Sequence, residues 1–250
     1  TAHMPGELKV AFFVNSGTEA NELALRIART APGKKNTVVL DWAYHGNSGG
    51  MVDISPYKFK RKGGYPQPDF VEIAAFPDPY RGAYGADASA YAADVGRCLD
   101  AVAAKTGTRA ATFIAESISG VGGQVIYPDG YLRAVYAQVR AAGGIVIADE
   151  VQCGFGRVGS HFWGFQLQDV VPDIVVMGKP IGNGHPLAAV VTTPDLAARF
   201  ANGMEYFNSF GGNPVSMAVG HAVLDVIEAE DLPARAVTTG EALMQGYRDL

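Results

Sequence analysis

Two side chains of opposite charge each follow a continuous apolar run. Ile174-Val175-Val176-Met177 leads through Gly178 into Lys179, and thirty residues earlier (179 minus 149) Ile145-Val146-Ile147-Ala148 leads into Asp149. Short unbroken apolar runs of this kind read as strands buried on both faces. Two such strands bring an amine and a carboxylate to one sheet edge, the pairing that a pyridoxal phosphate site requires. There the lysine carries the cofactor aldehyde, and the carboxylate keeps the pyridine nitrogen protonated by charge pairing. The protonated ring can then accept the electrons left when a bond at a substrate α carbon breaks. Lys179 must be uncharged to bind an aldehyde and to move a proton, and burial by the preceding run is expected to favour its neutral form. The plainer alternatives are a solvated surface lysine, and an aspartate that caps a helix or pairs with Arg157.

The elements that must position these groups follow from the apolar pattern. Ala11-Phe12-Phe13-Val14, Thr37-Val38-Val39-Leu40, Ala111 to Ala115, Ile145 to Ala148, Ile174 to Met177 and Ala188-Ala189-Val190-Val191 read as buried strands. Helical patterns lie between them. Glu19 to Arg29 places Ala20, Leu23, Ala24, Ile27 and Ala28 on one face, and Asp129 to Ala142 stops at Gly143-Gly144. The alternation predicts an α/β fold with a mostly parallel sheet flanked by helices. The stretch from Tyr44 to Ala86 is rich in glycine, proline and aromatics, and is expected to be a long functional loop.

In such a sheet, ligands gather at the carboxyl ends of the strands. Ser16-Gly17-Thr18 sits between a strand and a helix start, where free backbone N–H groups can hold a phosphate. Ser16-Gly17-Thr18-Glu19 is equally an S-x-x-E capping box, and both roles can coexist. Tyr44 and His45 follow the second strand, where an aromatic ring could stack on a pyridine face. A packed, hydrogen-bonded loop is the alternative. Glu116 ends the third strand and could serve as a cap or ion-pair partner.

Composition removes several function classes. The chain has 250 residues, 48% hydrophobic and 18% charged, enough to bury a sizeable core and too apolar for general disorder. A net charge of -5 gives no electrostatic reason to expect a nucleic acid or an anionic membrane. Cys98 and Cys153 are too few for a disulfide framework, which leaves the cytoplasm as the expected compartment. No stretch approaches a membrane span. His3, His45, His161, His185 and His221 form no metal-ligand spacing with one another or with the cysteines, so no metal site is expected. Gly182-Asn183-Gly184-His185 lacks the rest of a dinucleotide fingerprint, and Gly-x-Ser-x-Gly is absent.

The block IVIADEVQCGFGRVGSHFWGFQLQDVVPDIVVMGKP from Ile145, and VNSGTEANELALR from Val14, resemble the class III aminotransferases, which are pyridoxal phosphate enzymes of fold type I. DISPYKF at Asp53, PDPYRG at Pro77 and MEYFNSFGGNPVS at Met204 look like the subgroup of ethanolamine-phosphate phospho-lyases and alanine-glyoxylate aminotransferase-like proteins. The resemblance implies pyridoxal 5'-phosphate as cofactor. It makes Tyr44 the stacking aromatic, Glu116 a glutamate that organises the site, Val151 the apolar contact on the other ring face, and Gln152 a hydrogen-bond donor to the ring's 3-oxygen. Ser209 stands where the family has a hydroxyl, normally threonine, that reaches the cofactor phosphate of the neighbouring subunit, which implies a homodimer with sites at its interface. Cys153 departs from the expected valine, as a small buried substitute or as a reactive thiol. Family members carry further segments on both sides, so the chain is expected to be a fragment, with residues 1–230 as the large cofactor-binding domain and 231–250 as the start of a small C-terminal domain.

The expected function is a pyridoxal phosphate-dependent transaminase that moves an amino group from a small amine or amino acid to a keto acid. The alternative within the subgroup is a phospho-lyase that expels phosphate from a phosphorylated amine such as phosphoethanolamine. Arg81 of PDPYRG is a possible anion contact or a solvated loop arginine. A non-catalytic module of a larger fusion is the alternative of another class, against which the Asp149 and Lys179 pair argues.

Overall fold

The computed structural model describes residues 2–250. Seven strands, β1 (Val10–Val14), β2 (Thr37–Leu40), β3 (Val71–Ala74), β4 (Thr112–Glu116), β5 (Ile145–Asp149), β6 (Ile174–Met177) and β7 (Ala188–Thr192), form one sheet in the order β1-β7-β6-β5-β4-β2-β3. Only β7 runs against its neighbours β1 and β6; all other pairings are parallel. The helices are α1 (Gly17–Ala28), α2 (Gly49–Asp53), α3 (Pro56–Phe59), α4 (Ala88–Thr106), α5 (Tyr131–Ala141), α6 (Pro194–Phe200), α7 (Pro214–Ala229) and α8 (Leu232–Arg248).

The unbroken apolar runs are explained by helices on both faces of the sheet. Along β5, Val146 and Ala148 join the layer built with Tyr91, Val95 and Leu99 of α4 and Leu132, Val135 and Val139 of α5. Ile147 points the other way, into the layer built with Leu23, Ala24 and Ile27 of α1. Successive strand side chains alternate faces, so both faces need apolar residues and neither tolerates a charge until the strand ends. That is where Glu116 and Asp149 stand, side by side in the register of β4 and β5.

The Tyr44 to Ala86 stretch is not the structureless loop its composition suggested. It contains the short helices α2 and α3 and the edge strand β3, whose Val71 and Ala74 are buried. At the other end of the chain, α8 has no fully buried residue, and Leu232 at its start packs partly buried against the core. Among the described residues, no helix is long and apolar enough to cross a membrane.

Candidate active site

Because β1, β2, β4, β5 and β6 all point the same way, their carboxyl ends and the segments after them converge on one cleft. Its volume is about 160 Å³, tighter than the roughly 300–1,000 Å³ common for small-ligand sites. The turn after β1 contributes Ser16, Gly17 and Thr18, and the segment after β2 contributes Tyr44, His45 and Gly46. Glu116, Asp149, Val151, Gln152 and Lys179 complete the wall from β4, β5 and β6. Of the residues expected from the sequence to hold the cofactor, Ser209 alone lies outside it.

Asp149 is 3% exposed. Its Oδ2 accepts hydrogen bonds from the side-chain amide of Asn21 at 2.9 Å and pairs with His45 Nδ1 at 2.7 Å, while Oδ1 accepts the Val151 N–H at 3.1 Å. These contacts replace both plainer readings of Asp149: it caps no helix, and Arg157 is exposed and unpaired with it. A carboxylate has about four acceptor positions, so three donors leave room for one more. His45 is correspondingly a partner of Asp149, with its imidazole fully buried and its Nε2 unpaired among the described residues.

Asn21 was missed in the sequence. It lies on the buried face of α1 among Ala20, Leu23 and Ala24, and its amide bridges Asp149 and the His45 carbonyl, the latter at 2.9 Å. The available signal was a single amide on an otherwise apolar helix face, which costs free energy unless it is hydrogen-bonded.

Ser16 caps α1, accepting the Glu19 N–H at 3.2 Å, but the Glu19 carboxylate reaches back to Asn15 N at 3.0 Å, one residue before the position a capping box would give. The first N–H groups of the helix still lack intrahelical partners. Glycine at position 17 permits a close approach: an added Cβ would lie 3.1 Å from both methyl carbons of Val151. The cap and the anion-binding turn therefore coexist.

Glu116 is 6% exposed, and burial, reinforced by the neighbouring Asp149 charge, pushes its pKa up to about 7. The backbone N–H groups of Gly120 and Val121 and the His45 side chain oppose that rise. Glu150, also buried, turns away from the cleft and ties the next loop together, accepting from Gly164 N and Phe165 N at 2.9 Å each and from the Cys153 thiol at 3.3 Å. Burial and the Glu150 charge push the Cys153 thiol up, which makes it a packed side chain and not a reactive nucleophile.

One expectation is corrected. The run Ile174–Met177 is fully buried, but Lys179 lies beyond it at the mouth of the cleft and is exposed, so that run does not bury the amine. Arg81 is an exposed loop residue whose guanidinium stacks on Tyr80, 5.3 Å from the ring centroid, and it does not line the cleft. Ser209 is exposed on a loop docked to the start of α1, where Asn208 accepts from Asn15 and Gly211 N and donates to Glu19. No group of three or more potential metal-ligating side chains occurs among the described residues. A separate cleft beneath α7 is lined mainly by apolar groups such as Phe155, Trp163, Met177 and Leu224, without convergent charges.

A family model described as aminotransferase class-III matches residues 1–250. The chain belongs to this family. It is 51% identical over 253 residues to the alanine–glyoxylate aminotransferase 2-like protein of Drosophila melanogaster, covering 98% of this chain and 51% of that protein. It therefore spans about half the length of the curated relative it matches. Among solved structures, a phospholyase from Arthrobacter in complex with phosphoethanolamine superposes with a TM-score of 0.91 at 39% identity, covering 99% of this chain and 58% of that one. An omega transaminase from Pseudomonas jessenii in complex with PMP superposes with a TM-score of 0.89 at 27% identity, with the same coverage. The fold is thus that of the fold type I pyridoxal phosphate enzymes, and pyridoxal 5'-phosphate is the cofactor of the family. The residues present fit it: a glycine-containing anion turn at a helix start, a buried carboxylate with spare acceptor capacity, an aromatic ring and a lysine share one cleft.

Proposed function

We propose that the protein is a pyridoxal phosphate-dependent transaminase acting on a small primary amine or amino acid as donor and a keto acid as acceptor. The observation that carries this reading is the buried Asp149, held by His45 and Asn21 in the same cleft as Lys179. When bound, the cofactor supplies a protonated ring that accepts the electron pair released at the substrate α carbon. Everything else falls to this chain. Asp149 holds the proton on the ring nitrogen, and His45 and Asn21 fix the carboxylate that does so. Ser16, Gly17 and Thr18 bind the phosphate through the start of α1. Tyr44 and Val151 would pack against the ring and keep water away, and Gln152 would donate to the ring oxygen. Lys179 would hold the cofactor through its amine and, when that amine is free, would move a proton at the substrate α carbon. Glu116, beside Asp149, tempers the negative charge of the cleft by holding a proton near neutral pH.

Ser209, exposed on its docked loop, is proposed to complete the phosphate site of a second copy, making the working unit a homodimer. Residues 231–250 are assigned to a second, smaller unit, because α8 has no fully buried residue. A phospho-lyase is the second reading, supported by the likeness to the Arthrobacter protein. Incubation with phosphoethanolamine separates the two. A transaminase stalls after half a turnover until a keto acid is added, whereas a phospho-lyase releases phosphate continuously without one. Sustained acceptor-free phosphate release would overturn the transaminase reading.

A further inference from the structure

Lys179 owes its place to a turn that is secured away from the cleft. It opens the single helical turn Lys179–Ile181, and the chain then passes through two residues of positive φ, Asn183 at +43° and Gly184 at +103°. A residue other than glycine stays in the left-handed region only where its surroundings hold it there. Two anchors do so, both on α7. Ile181 and Leu187 are buried against that helix, so closely that a Cβ added at Gly220 would come 2.9 Å from Leu187 Cδ2. His185, half-buried after the turn, pairs through Nε2 with the buried hydroxyl of Ser216 at 2.9 Å. From there hydrogen bonds continue along the rim. Asn213 Nδ2 donates to Ser216 Oγ and to Phe210 O, at 2.8 Å each. Phe210 N and Gly211 N donate to Asn208 Oδ1, and the Asn208 amide donates to Glu19 at the start of α1, at 3.3 Å.

Lys179 is exposed at the mouth of the cleft, so the position of its amine depends on the backbone of this turn. His185 is not among the residues that line the cleft and acts on it only through that backbone. We propose that His185 is a positioning residue for Lys179: its bond to Ser216 holds the lysine's turn against α7, in register with the phosphate-binding turn at the start of α1, and so preorganises the amine for the cofactor aldehyde. Preorganisation of this kind adds affinity by reducing what must be ordered on binding. The proposal rests on the assignment of Lys179 made above and names the residue that places it.

The test uses the full-length protein freed of cofactor. Calorimetric titration compares pyridoxal phosphate, whose aldehyde the Lys179 amine can bond with loss of water, with 4-deoxypyridoxine 5'-phosphate, in which an unreactive methyl group replaces the aldehyde. The wild type should prefer the aldehyde, and Lys179→Ala should abolish that preference. His185→Ala and Ser216→Ala are each expected to weaken pyridoxal phosphate binding about fivefold, the loss of one partly buried hydrogen bond, while binding of the deoxy analogue stays within twofold. Combining the two changes should add little, because both remove the same interaction. His185→Gln, whose amide can reach Ser216, should restore most of the loss. An equal loss for both ligands would make His185 merely structural and overturn the proposal, as would no loss for either, or additive losses in the double variant. Should His185→Ala fail to fold, Ser216→Ala and His185→Gln decide the matter. A wild-type preference retained in Lys179→Ala would sink the assignment of Lys179 and this proposal with it, whereas failure of the His185 and Ser216 variants to respond leaves that assignment intact.

Discussion

Replacing Glu116 with glutamine should stabilise the cofactor-free protein, and only above the acid range. Glutamine keeps the shape and an acceptor for Gly120 N and Val121 N, but it has no charge to desolvate. The carboxyl group is 6% exposed, and its pKa rises from 4.5 to about 7 because of burial and the adjacent Asp149 charge. That is a rise of about 2.5 pH units (7 minus 4.5), which at about 1.4 kcal/mol each comes to about 3 kcal/mol. Between the two values the folded state holds a proton that the unfolded chain has lost, so this group's contribution to stability falls as pH rises through that window and levels off above it. The advantage of Glu116→Gln over wild type should therefore be near zero at about pH 4.5, intermediate at about pH 6 and roughly 3 kcal/mol at about pH 8. Urea unfolding at the three pH values measures it, provided the m-value is unchanged. A difference that is the same at all three would mean that Glu116 ionises normally and that its placement beside Asp149 in a desolvated cleft is wrong.

Asp149→Asn removes the charge opposite the ring nitrogen with little change of shape; turnover should fall about 10²-fold, the loss of roughly 3 kcal/mol of transition-state stabilisation, with an unaltered circular dichroism spectrum, and unaltered turnover would make the residue structural. Asn21→Ala deletes a donor to Asp149 and to the His45 carbonyl, and should weaken cofactor binding about tenfold, read by absorbance titration. Gly46→Ala places a Cβ 2.8 Å from Thr18 Oγ1 and 2.9 Å from Met51 Cγ at a φ of +150°, and should cost about 1–3 kcal/mol in thermal unfolding. Gly49→Ala, whose added carbon meets nothing within 4 Å, is the control.

The central strands that carry the site were legible because each is buried on both faces and must therefore be apolar throughout, whereas β1 is an edge strand with Ala11 and Phe13 exposed. Val10–Val14, Thr37–Leu40, Thr112–Glu116, Ile145–Asp149 and Ile174–Met177 fall where unbroken runs predict them, within a residue or two at their ends. β3 was not legible. Val71-Glu72-Ile73-Ala74 is a four-residue edge strand interrupted by a glutamate and set between prolines, so its pattern does not stand out from a loop. The reversal of β7 was equally hidden, because a buried antiparallel strand needs the same side chains as a parallel one. In the site, Lys179 and Asp149 declared themselves through the charge that ends each apolar run. Asn21 did not, since its importance lies in a neighbour that is distant along the chain: Asp149 is 128 residues from Asn21. The exposure of Lys179 was misjudged for a related reason. Burial of a strand says nothing about the first residues past its end.

The central claim, that Lys179 carries the cofactor in a cleft whose carboxylate is Asp149, is tested most directly by borohydride reduction of the full-length yellow holoprotein followed by peptide mapping. The account predicts a pyridoxyl group on Lys179, and in Lys179→Ala a cofactor that still binds at Ser16, Gly17 and Thr18 but is lost on denaturation after borohydride treatment. A pyridoxyl group on any other lysine, with Lys179 unmodified, would contradict it.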